Sequence, residues 1–190
     1  MFTKVFRSMS LAKQISFLAI FVALSVAVNS VIEIDVGGTN KITFSYFVCF
    51  FAGFLLGPLP GFIVGFLGDL IGFLIKSVMV YWFFGVTIGL FGFLSGLIMN
   101  GIRKEGTGWL YGKAAISFAV CFLLITCVLN TIINYYYVYL FYWDGVFKKA
   151  FWVYFAGRIG FQTIVYLVNV ALCFIALPFS VKIKTFRDLI

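Results

Sequence analysis

Six times along this chain of 190 residues an apolar run approaches or exceeds the length needed to cross a bilayer, and only Asp69 and Arg158 carry charge deep inside those runs. A transmembrane helix needs about 20 mostly apolar residues. The runs lie near 11–31, 42–57, 60–78, 82–101, 113–140 and 150–180. The second and third are short and meet at Gly57-Pro58-Leu59-Pro60-Gly61, a turn that needs no polar loop. The last two are long enough to tilt or to extend past the hydrocarbon core. A soluble fold is excluded: 64% of the residues are hydrophobic and 11% charged, against about a half and a quarter in soluble domains. A single core of this size cannot hide such a surplus. The expected fold is an all-α integral membrane protein of six transmembrane helices, forming a single transmembrane domain over 1–190.

Loop charges orient the chain, because Lys and Arg accumulate on the cytoplasmic side. Lys4, Arg7, Lys13, Arg103, Lys104, Lys113, Lys182, Lys184 and Arg187 fall on one side; Lys41, Lys76, Lys148 and Lys149 fall on the other. Both termini are therefore expected to be cytoplasmic. The formal charge of +8 then reads as loop punctuation, with no nucleic-acid partner implied. Nothing after the first run resembles a signal cleavage site.

Several chemistries drop out. The chain has no His, which removes the commonest general base and metal ligand. Cys49, Cys121, Cys127 and Cys173 sit in apolar runs without metal-ligand spacing and read as buried thiols. No Walker A pattern occurs, so the chain cannot hydrolyse ATP through a P-loop. No paired carboxylates accompany Asp69. The expectation is a protein that is not an enzyme and carries neither cofactor nor metal.

What remains is polar chemistry within the membrane, where an ionisable side chain costs about 2.5–3.5 kcal/mol at the helix centre on insertion scales. Asp69 lies among Gly61, Gly65, Gly68 and Gly72, small residues that let helices approach closely; its carboxyl reads as paired within the bundle, with a proton-relay role as the alternative. Arg158 shares a helix face with Gln162 at i+4 and roughly with Asn169 at i+11. The outer half of the fifth run adds Asn130, Thr131 and Asn134, then Tyr135, Tyr136 and Tyr137. Asn29, Ser30, Tyr81, Trp82 and Thr87 belong at the same depth. Together these groups predict an outward-facing pocket that stacks a planar ring and pairs an anionic group with Arg158. The alternative is ordinary interhelical hydrogen bonding beneath an aromatic belt. Small-residue stripes at Ala19/Ala23/Ala27, Gly85/Gly89 and Gly92/Gly96 mark faces for helix contact, the alanine stripe equally a dock for another membrane protein.

The stretch Phe51-Ala52-Gly53-Phe54-Leu55-Leu56-Gly57-Pro58-Leu59-Pro60-Gly61, continuing through Gly65, Gly68, Asp69 and Gly72, resembles the substrate-binding (S) components of energy-coupling factor (ECF) vitamin transporters. Leu129-Asn130-Thr131 and Arg158-x-x-x-Gln162 resemble the folate branch, with Gly157 and Phe161 where that branch commonly has Pro and Lys. The resemblance implies high-affinity capture of a vitamin, folate first, and its passage across a prokaryotic cell membrane. It implies docking through Ala19, Ala23 and Ala27 on a transmembrane T component, and ATP hydrolysis by two cytosolic subunits. Arg158, Gln162, Asn130, Asn134, Thr87, Asn29, Trp82 and Tyr136 are the expected vitamin-binding residues. Pantothenate, riboflavin or a queuosine precursor are the alternative ligands; an ion-coupled carrier and a non-transport membrane scaffold are the alternative classes.

Overall fold

A computed structural model describes residues 2–30, 34–36, 40–76, 83–102 and 106–182. Helix α1 (Lys4–Ser8) precedes α2 (Leu11–Ser30), and a small antiparallel hairpin follows, β1 (Ile34–Val36) with β2 (Asn40–Ile42). Then come α3 (Ser45–Leu56), α4 (Pro58–Lys76) and α5 (Phe84–Gly101). Helix α6 (Thr107–Cys121) runs through a π-helical stretch, Phe122–Asn130, into α7 (Thr131–Phe141), and α8 (Phe151–Lys182) ends the chain. Among the described residues, five spans are long and apolar enough to cross a membrane, Leu11–Ser30, Pro58–Ile75, Phe84–Gly101, Gly108–Phe141 and Phe151–Ser180; Ser45–Leu56 is a shorter apolar helix. The fold is thus the expected all-helical membrane architecture, with the hairpin added.

One boundary moves by more than a turn. The fifth span begins at Thr107, six residues before the expected start, because Leu110 is buried and Tyr111 packs edge-on against Phe174, ring centroids 5.5 Å apart. Lys113, assigned above to a loop, therefore sits nearly two turns into α6 and is buried. A lysine there can lay its methylene stem along apolar neighbours while its ammonium reaches toward the helix end.

Helix α3 is central. Apolar on every side, it is buried in all but one of its twelve residues, as such a helix must be when other helices surround it. Buried helix ends need partners for their free N–H and C=O groups, and three other elements supply them. Thr3 of the segment entering α1 donates through Oγ1 to Leu55 O (2.9 Å). Asn100 of α5 donates through Nδ2 to Gly53 O and Phe54 O, each at 3.3 Å. At the other end, Asn169 of α8 accepts from Phe47 N (3.0 Å). The chain leaves α3 through Gly57, whose φ of 120° suits only glycine, and Pro58 opens α4.

Glycines set the spacing of α3, α4 and α5. A Cβ on Gly53 would collide with Gly92 O, and one on Gly65 would come within 2.7 Å of Ile88 O. The second half of α4 approaches α2 instead: Gly68 lies against the Ser25 hydroxyl, and a Cβ on Gly72 would stand 3.3 Å from Asn29 Cβ. The core between α3, α5, α6 and α8 is aromatic, with Phe50 stacked on Phe118 at 5.0 Å and Tyr46 tilted on Tyr166 at 4.6 Å. Ile15, Leu124, Val128, Leu167 and Ile175 are exposed on the periphery, the face a bilayer would cover.

Candidate functional site

Helix α8 carries polar side chains four residues apart, Tyr154, Arg158, Gln162 and Tyr166, which an α-helix stacks on one face. Arg158 and Gln162 are each only 7% exposed. Opposite them, the π-helical stretch widens the turn, so that Thr126 and Thr131, five apart, are both buried and Thr131 Oγ1 donates to Thr126 O (2.8 Å). Such stretches recur at functional sites. Thr126 Oγ1 donates to Tyr166 Oη (2.9 Å). The Tyr46 hydroxyl, from the first turn of α3, lies within hydrogen-bonding reach of Thr126 and Asn130 and in the field of Arg158.

The Asn134 carboxamide sits between Tyr154 and Arg158. Turned with its oxygen toward the guanidinium, it accepts from Arg158 Nη2 at 3.1 Å and donates to Tyr154 Oη at 2.9 Å. That orientation satisfies both neighbours. Three polar groups here have no hydrogen-bond partner among the described residues. Arg158 Nε and Asn130 Oδ1 are buried without a hydrogen bond, and Gln162 makes none among the described residues. No carboxylate pairs with Arg158 among the described residues. A buried guanidinium whose Nη atoms meet the Asn134 amide beside the Tyr154 phenol, with Nε unpaired among the described residues, keeps unused donor capacity, which favours an anionic or strongly accepting ligand.

The structure brings Arg158, Gln162, Asn130 and Asn134 together; of the other expected residues, Thr87, Tyr136 and Asn29 make contacts of their own. Thr87 is buried and donates to Phe84 O (2.7 Å) within its own helix. Tyr136 is 51% exposed, and its ring meets Tyr135 and Phe147 edge-on. Trp82 lies outside the described residues. Asn29 belongs to a second polar cluster: its Nδ2 donates to Asp69 Oδ1 (3.1 Å), and its Oδ1 accepts from Ser45 Oγ (3.2 Å). Asp69 is thus engaged within the bundle. Asn169 is occupied in bonds to Thr43 O, Val165 O and Phe47 N. Sequence reasoning missed Tyr46, Thr126, Tyr154 and Tyr166 as members of the site. The two α8 tyrosines were findable, since they extend the Arg158–Gln162 spacing by one step in each direction.

Ala19, Ala23 and Ala27 line a groove of about 690 Å³ between α2 and α4, with Leu67, Ile71 and Ile75 as its other wall. The three alanines are exposed there.

Residues 9–177 match the family model described as ECF-type riboflavin transporter, S component. A crystal structure of FolT bound with folic acid resembles this chain with a TM-score of 0.67 and 17% identity, over 85% of this chain and 90% of that one. The S component of a bacterial ECF transporter resembles it with a TM-score of 0.61 and 19% identity, over 89% and 95%. At such identities the likeness is one of fold. No curated protein matches.

Proposed function

The chain belongs to the S components of ECF-type vitamin transporters, multi-pass proteins of the prokaryotic plasma membrane that bind a vitamin and work with an ECF module, and from that premise we propose that its vitamin is folate. The observation that carries the choice is Arg158: buried, charged and without a carboxylate partner among the described residues. Folate brings carboxylates to such a group and a planar pterin to the tyrosines around it, whereas riboflavin has no ionised group at neutral pH. In this reading Arg158 takes a ligand carboxylate, and Asn130, Asn134 and Gln162 read polar edges. Tyr46 and Tyr166 supply ring surface from below. Riboflavin is the second reading, because the family model over 9–177 is described by that vitamin.

The same reading places both termini in the cytoplasm, following the eight-to-four division of Lys and Arg that remains once Lys113 is placed inside α6, and opens the pocket to the outside. The alanine groove is then the face offered to the T component. Its support is an exposed small-residue surface along α2 that lines the groove against α4.

Thermal stability of the purified chain in detergent, measured against folic acid, riboflavin, pantothenate and a queuosine precursor, tests the proposal. A ligand that binds only the folded state adds about 2.7 kcal/mol of stability at a hundred times its dissociation constant. Stabilisation by folic acid alone is the expected result. Stabilisation by riboflavin alone replaces the ligand and keeps the class, and a folded chain indifferent to all four sinks the vitamin-binding reading.

A further inference from the structure

The two polar clusters are joined. Asn169, fully buried on α8 three turns from Arg158, donates to Thr43 O (2.8 Å) and accepts from Phe47 N (3.0 Å). Thr43 Oγ1 and Ser45 Oγ share a hydrogen bond of 2.7 Å, and Thr43 Oγ1 also accepts from Ser45 N (3.2 Å). Ser45 Oγ donates to Asn29 Oδ1 (3.2 Å), and Asn29 Nδ2 donates to Asp69 Oδ1 (3.1 Å). A single line of hydrogen bonds therefore runs from α8, across the first turn of α3, to the contact between α2 and α4. At that contact Gly68 and Gly72 touch Ser25, Asn29 and Ser30, and Ser30 also lines the groove.

We propose that Asn169, Thr43, Ser45, Asn29 and Asp69 form a strut that couples the polar face of α8 to the spacing of α2 and α4, with the first turn of α3 as its moving part. That turn carries Tyr46, which stands among Arg158, Asn130 and Thr126. Whatever presses on Tyr46 therefore presses on Ser45 and Phe47, its neighbours in the strut. Because Asn169 and Ser45 are wholly buried, a broken link leaves a polar group unpaired, and such groups are costly to strand away from water. The links accordingly move together instead of parting one by one. Coupling of this kind is reciprocal: closing the α8 site adjusts the groove, and filling the groove adjusts the site. The groove's role as a docking face rests on the function proposed above; the strut itself does not.

The test reads the α2–α4 distance directly. Spin labels at Leu24→Cys and Leu74→Cys, both exposed positions, report it, and the four native cysteines are buried. Without any ligand, Ser45→Ala is expected to shift or broaden the label-to-label distance, and Asn169→Leu to do so more strongly. Ser16→Ala removes an exposed hydroxyl of α2 that bonds only Ala12 O, and it is expected to leave the distance unchanged. If Asn169→Leu fails to fold, Ser45→Ala decides alone. An unchanged distance in Ser45→Ala overturns the proposal, as does an equal change in Ser16→Ala. Adding folic acid or riboflavin to the labelled parent chain is a separate arm. Failure of both to bind strikes the proposed vitamin, and the ligand-free distances still decide for or against the strut.

Discussion

Arg158 concentrates the chemistry of this protein in one side chain. Its guanidinium is buried, its Nη atoms engage Asn134, and its Nε has no partner. Truncating one member of a buried, hydrogen-bonded charge pair costs about 2–5 kcal/mol, so Arg158→Ala is expected to weaken folate binding about 30-fold or more in a titration of the purified chain. Arg158→Lys keeps the charge and loses the planar fork, and is expected to fall between the wild type and Ala. Equal affinities for all three would remove the anion-pairing role. Half of this site is legible in the sequence, because Arg158 and Gln162 share one helix and their spacing fixes their common face. The other half depends on contacts between helices. Tyr46 hides in a run of Phe residues, and the facing of Thr126 depends on a π-helical stretch that no residue spacing announces.

At the level of elements, hydropathy alone sufficed for the long spans, because a lipid-exposed helix must be apolar over a fixed length. It placed the start of α6 too late, since Trp109, Leu110 and Tyr111 look like an interfacial loop until α8 is there to pack against. It passed over the hairpin at Ile34–Ile42, although alternation around Gly37-Gly38 is a turn signal. Packing between α3, α4 and α5 was readable from glycine spacing, and the geometry turns it into a sharp expectation. Gly53→Ala forces a methyl into the backbone of α5 and is expected to cost about 3 kcal/mol or more, the upper end of overpacking penalties. Gly160→Ala on α8 meets nothing within 4 Å and is expected to add about 0.5–1 kcal/mol through helix propensity. Thermal unfolding of both variants in detergent checks the pair, and a Gly53→Ala protein as stable as the wild type would refute the close-contact account.

The molecule as a whole presents a candidate ligand site among α3, α8 and the long α6–α7 helix, and a groove between α2 and α4. Filling the groove separates the two. Ala23→Trp is expected to leave a chain that still binds vitamin when purified, yet no longer co-purifies with a T component and no longer supports vitamin uptake in cells. Retained uptake would move the docking face elsewhere. Finally, the shortness of α3 bears on how the chain enters the membrane at all. Twelve residues make a helix of about 18 Å, well under the hydrocarbon thickness of about 30 Å, so α3 cannot be released into lipid as an independent span. It must leave the insertion machinery paired with α4 across Gly57-Pro58, and its ends draw on partners made at very different times. Thr3 is made before α3, Asn100 well after it and Asn169 later still, so the central helix of the bundle is fully satisfied only once α8 has been made.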